Sequence, residues 1–204
     1  MTAIPNPNKM TAEDGGRVQY SIDPGFAKAI DEWDGKKDKT FRLGSTSKAL
    51  QSIGVKDTGI IWHSRKINKI LREHPDMSKE IIKQVPNILE NPVMVLQSQN
   101  SESRIVMMGE VYDEAGNLIT AVLELQPTTK GGQIQDMTVV VSAYGKNDSP
   151  QNFIIQSNLL YIDPNKKRTN RWMQGLGLQL PSDTITFGSA VKILYFCMHV
   201  NIRD

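Results

Sequence analysis

Two groups of side chains in this sequence have the chemistry of an acid–base site. His74 is followed by Pro75 and so stands at the end of a predicted helix, where the helix dipole favours the protonated imidazole. Ser142, Tyr144 and Lys146 alternate along a predicted strand, so they share one face and form a row of polar groups. Such a row can hold a phosphate. The simpler interpretations are a helix cap at His74 and a solvated strand end.

A third group is a basic stretch near residue 170. It contains cations, an amide and an aromatic ring: Lys166, Lys167, Arg168, Asn170, Arg171 and Trp172. Residues four apart are neighbours on a helix, so Arg168 would lie beside Trp172 and place a cation next to an aromatic plane. That arrangement suits an RNA backbone together with a stacked base. The competing interpretation is a solvated basic helix whose Trp172 belongs to the core.

The composition is that of an ordinary globular protein. The 204 residues include 24 Lys and Arg and 22 Asp and Glu, which gives a net charge of +2. Binding of a polyanion would therefore require a local basic patch. The single Cys197 excludes an internal disulfide framework and a Cys-based zinc finger. No apolar run is long enough for a transmembrane helix, and the polar N-terminus lacks the apolar region of a signal peptide. A reducing cytosol and no membrane partner are therefore expected.

Nothing in the sequence predicts a metal or a cofactor. The three histidines, His63, His74 and His199, do not stand at metal-ligand spacing from one another or from Cys197. The Walker A motif, the Gly-rich dinucleotide motif, H-E-x-x-H and G-x-S-x-G are all absent. If the protein is an enzyme, the expected chemistry is general acid–base catalysis with charge stabilisation by side chains.

Periodicity predicts the elements that must position these residues. Residues 1–40 are expected to form a flexible N-terminal arm with one short helix around 24–34, and residues 41–204 a single domain. In chain order, the pattern then predicts helices at about 46–54 and 64–73, and a third helix that Ser78 caps and that Pro86 and the pair Asn91-Pro92 end. It next predicts strands at 93–98, 104–112, 118–126 and 137–144, followed by a helix at 150–156. The last predicted elements are an extended run at 159–163, a basic helix at 166–177 and a strand at 191–196. Helices first, then an antiparallel meander with a helix inserted late, is an α+β order.

The order of motifs resembles a known family. The helix that ends at His74 is followed by KQVPNILENPVMVLQS, a hairpin ending in AVLELQP, then VSAYGK, LLYIDPNKKRTNRW and GLQLP. Over about residues 41–196 this resembles the C-terminal domain of phage MuF-type head-morphogenesis proteins and of large polyvalent proteins of mobile elements. That domain belongs with the phage members of the barnase–EndoU–colicin–RelE (BECR) nuclease superfamily. The resemblance implies N-terminal helices packed on an antiparallel sheet of about four strands, and metal-independent RNA cleavage by a toxin or effector domain.

The resemblance carries roles over to six residues of this chain: His74, Ser142, Tyr144, Arg168, Asn170 and Trp172. Lys146, Lys167 and Arg171 are added to them for their charge. The expected catalytic residues are His74, Ser142, Tyr144 and Arg168. The expected substrate-binding residues are Lys146, Lys167, Asn170, Arg171 and Trp172. In the implied mechanism, His74 moves a proton at the ribose 2′-oxygen or the 5′-oxygen, Tyr144 orients the phosphate or carries the second proton, and Trp172 stacks a base.

Two other function classes remain open. A nuclease-like scaffold could bind and block a host defence protein or an RNA without turnover. A transferase acting on a nucleotide such as NAD is a third possibility, although no Gly-rich phosphate loop supports it. Convergence of His74, Tyr144 and Arg168 on one cleft favours catalysis, and a His74 that points away from the sheet favours binding. The expected partners are RNA and an immunity protein or host defence protein in the cytosol of a bacterial host, and nothing predicts the oligomeric state.

Overall fold

The structure is a computed structural model that describes residues 22–146 and 150–178. In chain order the elements are α1 Phe26–Asp31, β1 Thr40–Ser45, α2 Lys48–Ser52, β2 Gly59–His63, α3 Ser64–Glu73, α4 Lys79–Ile82, α5 Val85–Glu90, β3 Met94–Gln97, β4 Arg104–Tyr112, β5 Leu118–Leu125, β6 Thr138–Gly145, α6 Pro150–Gln156, β7 Leu159–Ile162 and α7 Lys166–Gly175. The predicted strand at 191–196 lies outside the described residues. No helix in the described ranges is long and apolar enough to cross a membrane.

The strands form one seven-stranded mixed sheet in the order β1-β2-β6-β5-β4-β3-β7. Neighbouring strands are antiparallel except β2 and β6, which are parallel and pair Ile60 with Thr138 and Trp62 with Val140. The α+β class is confirmed. The prediction of about four antiparallel strands is too low, because it omits the short strands β1 and β2 that stand between the first helices, and the edge strand β7.

The central strands have the alternation that the sequence predicts, and they separate two apolar cores. On β4, Ile105 and Met107 face the core that contains side chains of α1 to α5. The intervening Val106 and Met108 face the core that contains side chains of α6 and α7. The sheet is therefore a middle layer with helices on both sides, so residues of α3 and of α7 reach it from opposite faces.

Helix α1 packs into the first core. Phe26 and Ile30 are buried, and Trp33 just beyond the helix is buried as well. The Phe26 ring stacks on Trp62 of β2, with ring centroids 6.4 Å apart and planes inclined by 11°. The sequence placed this helix in a flexible arm. Its packing leads to the opposite expectation, in which this helix belongs to the folded domain.

The predicted third helix is two short helices. Ser78 caps α4 as expected, its hydroxyl accepting a hydrogen bond from the backbone N–H of Ile81. Pro86, which was expected to help end that helix, instead lies in the first turn of α5, and Asn91 ends α5 as predicted. Proline is tolerated in a first turn because the backbone N–H that it lacks would have no helical acceptor there.

Candidate active site

His74 and Tyr144 form a stacked pair at one end of the sheet. Their ring centroids are 5.3 Å apart and the planes are inclined by 13°. His74 is the residue that ends α3, and its backbone N–H donates to the carbonyl of Ile70 at 2.9 Å. Tyr144 is on β6. The structure therefore brings together two candidates that are 70 positions apart in the sequence.

The parallel pairing of β2 with β6 explains this contact. The pairing stops at Trp62 and Val140, and α3 begins at Ser64, directly after β2. Helix α3 contacts both strands. A ten-residue helix is about 15 Å long, enough to carry the chain from the end of β2 along the remaining half of β6. His74, at the far end of α3, thus reaches Tyr144, near the end of β6.

Ser142 and Tyr144 lie on one face of β6, as the alternation predicted. Their cross-strand partners on β5 are Val122 and Thr120, and paired residues of neighbouring strands share a face. The hydroxyl of Thr120 donates to the carbonyl of Tyr144 at 3.3 Å. Both Ser142 and Tyr144 are half-buried. The Nζ of Lys146 lies 5.3 Å from the centre of the Phe153 ring of α6, a cation–π contact.

The hairpin between β4 and β5 supports this end of the sheet through Asp113. This carboxylate is 7% exposed and accepts hydrogen bonds from the backbone N–H of Asn117 at 2.7 Å and from its side-chain amide at 3.0 Å. A Cβ atom on Gly145 would lie 1.8 Å from Asp113 Oδ2, so only glycine fits beside Tyr144. The backbone N–H of Glu114 donates to the carbonyl of Asp76 at 3.3 Å, which connects the hairpin to the loop after His74.

Asp113 and Gly145 are not among the site residues predicted from the sequence. The segment DEAGN was interpreted only as a turn, and Gly116 does adopt the positive φ of +84° that such a turn needs. An Asp at the start of a turn commonly accepts hydrogen bonds from the backbone of that turn. Its residue type therefore did not indicate that Asp113 also lies against Gly145 of β6. We call the group His74, Tyr144, Ser142, Lys146 and Asp113 the His74 site. An imidazole, a phenol, a hydroxyl and an ammonium group are side chains that carry protons and bind phosphate.

Arg168 does not join the His74 site. Its guanidinium donates to Glu110 at 2.9 Å, to Asp163 at 2.6 Å and to the carbonyl of Asn91 at 2.9 Å. Burial acts to lower the pKa of Arg168, but the hydrogen bonds and charges of the two carboxylates outweigh it and hold the pKa above its ordinary value. This side chain thus joins α7 to β4. Tyr144 is on β6, and β5 lies between β4 and β6, so the catalytic role of Arg168 stays a prediction.

Trp172 is a core residue, which corrects the expectation of a base-stacking platform. It is 4% exposed and packs in the second core, and its Nε1 donates to the carbonyl of Gly109 at 3.2 Å. Four polar residues of this helix, Lys166, Lys167, Asn170 and Arg171, are exposed, whereas Thr169 is buried. Arg171 lies 3.6 Å from Glu110. The basic helix therefore presents cations to solvent but no aromatic plane beside them.

Replacing Trp172 with alanine is expected to lower the free energy of unfolding by about 3–5 kcal/mol, because a large buried side chain leaves a cavity. Urea denaturation of the full chain followed by circular dichroism measures this loss. Lys167→Ala is the matched control, because this exposed residue of the same helix should unfold at the wild-type midpoint. A Trp172→Ala protein with an unchanged midpoint would contradict the core assignment.

The sequence contains two further histidines, His63 and His199, and one cysteine, Cys197, none of which was predicted to bind a metal. Within residues 22–146 and 150–178, no group of three or more His, Cys, Asp or Glu side chains could hold a metal ion. His63 is exposed, and its Nδ1 lies 3.0 Å from the hydroxyl of Thr40. Cys197 and His199 lie outside the described residues.

Comparison with known proteins gives one family match, which covers the His74 site but ends before Asn170, Arg171 and Trp172. The sequence profile described as the phage MuF-C-terminal domain matches residues 66–169, just over half of the 204-residue chain. The matched range begins in α3 and ends in α7, and it contains the whole His74 site. No curated protein and no solved structure matches the chain.

Proposed function

The chain belongs to the phage MuF C-terminal domain family, and from that phage origin and the His74 site we propose that it is a metal-independent ribonuclease of the effector type. The observation that supports this proposal is the stacked pair of His74 and Tyr144. Stacking fixes the orientation of both rings, and catalysis by proton transfer depends on such positioning. We also propose a relationship to the BECR superfamily, supported by the helices packed on the antiparallel strands β3 to β6.

In the proposed reaction the ribose 2′-oxygen attacks the adjacent phosphorus atom. The P–O5′ bond breaks, which leaves a 2′,3′-cyclic phosphate on one fragment and a 5′-hydroxyl on the other. One member of the pair His74 and Tyr144 takes the proton from the 2′-hydroxyl, and the other gives a proton to the departing 5′-oxygen. Protons and electrons balance without a metal or a redox partner.

The phosphate that reacts needs positive charge beside it. In this proposal the hydroxyl of Ser142, on the same face of β6 as Tyr144, supplies a hydrogen bond. Lys146, which directly follows β6, supplies the positive charge. Lys167, Asn170 and Arg171 on the exposed side of α7 are proposed to hold phosphates farther along the RNA. Arg168 and Trp172 are left out of the mechanism, because their polar groups are bonded within the fold.

Cleavage is expected to be insensitive to a chelator. Purified full-length protein is incubated with total RNA, with and without EDTA, and the new RNA ends are mapped. We expect the same ends in both samples, each 3′ end carrying a cyclic phosphate. A His74→Ala protein purified in parallel controls for contaminating nucleases. Activity that EDTA abolishes and a divalent ion restores would contradict the metal-independent mechanism.

A binding module without turnover is the second candidate. The observation that favours it is Arg168, since the cation that the resemblance assigns to catalysis is instead held by two carboxylates. Such a module would block a host defence protein or an RNA in the bacterial cytosol, whereas an active toxin would need an immunity protein. RNA that is retarded in a gel by the protein but gains no new ends would favour this candidate.

A further inference from the structure

Two basic segments of the chain lie next to each other at the start of α3. Residues 34–39 contain three lysines and two aspartates, and residues 63–73 contain four cations and one glutamate. Together these segments, which we call the basic patch, have a net charge of +4. The whole chain has a net charge of only +2, so all its other residues together have a net charge of −2. Positive charge is therefore concentrated on this surface.

Hydrogen bonds hold the two segments together. The backbone N–H of Lys39 donates to the Ser64 hydroxyl at 2.9 Å, and the N–H of Ser64 donates to the carbonyl of Lys39 at 2.8 Å. The side-chain amide of Asn68 donates to the carbonyl of Gly35 at 2.8 Å. Arg65 donates to the carboxylate of Asp38. The cations of the patch thus stand on a preorganised backbone, which reduces the entropy lost when a ligand binds.

The cations of the patch fall into two groups. Arg65 pairs with Asp38, and both Lys69 and Arg72 lie within 3.7 Å of Glu73. The others are exposed lysines that form no ion pair with any described residue: Lys36, Lys37, Lys39 and Lys66. An open pocket of about 430 Å³ lies between the segments, with Lys39, His63 and Lys66 among its lining residues. The Nζ of Lys39 also lies 5.1 Å from the centre of the Phe41 ring. An ammonium group that forms no ion pair at the rim of a pocket is suited to bind a phosphate group.

We propose that the basic patch binds single-stranded RNA that continues from the strand cleaved at the His74 site. Helix α3 connects the two places, since it begins beside the pocket at His63 and ends at His74, about 15 Å away. A strand lying along α3 would bring several phosphates past the lysines before its ribose reaches His74. Single strands fit this role because the 2′-hydroxyl and the bases are accessible in them. This inference rests on the proposed function and adds a binding surface to it.

The test measures how salt weakens RNA binding. A fluorescein-labelled single-stranded RNA is titrated with full-length protein by fluorescence anisotropy at several salt concentrations, in the His74→Ala background so that the RNA stays intact. Each phosphate contact contributes about −0.7 to the slope of log affinity against log salt. We expect Lys37→Ala/Lys66→Ala to make the slope less steep by about 1.4, for two lost contacts. The matched control is Lys48→Ala/Lys130→Ala, which removes two exposed lysines outside the patch and should leave the slope unchanged.

The outcomes separate this inference from the proposed function. With His74 intact, the patch variant should raise KM and leave kcat unchanged, because it removes binding that is equal in the ground and transition states. An unchanged slope in the patch variant, or an equal change in the control variant, would contradict RNA binding by the basic patch, even if cleavage is observed. If the patch variant flattens the slope but no RNA is cleaved, RNA binding by the basic patch is supported and the nuclease proposal fails.

A labelled acidic peptide tests the alternative ligand. If the peptide binds as tightly as RNA, and the patch variant weakens its binding in the same way, the partner of the basic patch is a protein. Equal melting temperatures exclude unfolding as the cause.

Discussion

A chain that begins at Thr40 is expected to lose cooperative unfolding. It would lack Phe26, Ile30 and Trp33, whose side chains are at most 4% exposed in the first core. Truncating one buried residue of this size costs about 2–5 kcal/mol, and a whole domain is stable by only about 5–15 kcal/mol. Removing all three also exposes the face of Trp62 on which Phe26 stacks. Thermal unfolding followed by circular dichroism, on the full chain and on the shortened one, measures the loss.

Two comparisons make this expectation specific. A chain that begins at Ile22 should retain the melting transition of the full chain, because it keeps α1 and the backbone hydrogen bond from Asp23 to Leu43. Phe26→Ala in the full chain should lower the free energy of unfolding by about 3–5 kcal/mol. If the chain beginning at Thr40 melts cooperatively within a few degrees of the full chain, α1 is an accessory element and the domain begins where the sequence placed it.

The elements that the sequence predicts well are those with strong local signals. Strands β4 and β5 are apolar runs of nine and eight residues, and they are joined by a turn that contains Gly116. Helix α3 has an apolar face at Ile67 and Ile70 opposite its cations. Strand β2 was missed because GIIWH has only five residues and passes into α3 without a turn residue between them. A short apolar run of this kind has no periodicity that distinguishes it from the helix that follows.

The residues of the candidate site were predicted from the sequence, but their contact in the folded chain was not. His74 and Tyr144 were selected separately, and their contact depends on the parallel pairing of β2 with β6, which no local pattern encodes. The roles of Arg168 and Trp172 depend on which side of α7 faces the sheet. Spacing places these two residues together on one side of the helix but does not show whether that side is exposed. The partners that decide the matter, Glu110 and Gly109, are about 60 positions away.

Replacing His74 with alanine is expected to lower kcat for RNA cleavage by about 10²–10⁴-fold, the usual effect of removing one acid–base residue. The ring that is lost is the one stacked on Tyr144, so the variant removes both a proton carrier and the contact that orients its partner. Single-turnover cleavage of a labelled RNA gives the rate of the chemical step apart from product release. Thermal melting of the same samples shows whether the fold is intact, since His74 also ends α3.

Tyrosine variants separate proton transfer from ring packing. Tyr144→Phe keeps the stacked ring and removes only the hydroxyl, so its rate should fall while its melting temperature stays at the wild-type value. Tyr112→Phe is the matched control, because Tyr112 is an exposed tyrosine of β4 with no role in the mechanism. If the two residues act as one unit, the double variant His74→Ala/Tyr144→Phe should be scarcely slower than His74→Ala alone, because residues acting together are strongly non-additive. If the fold losses of the two single variants multiply in the double variant, the two residues have independent roles. A His74→Ala protein with full activity would refute the acid–base assignment and move the proposal to the binding module.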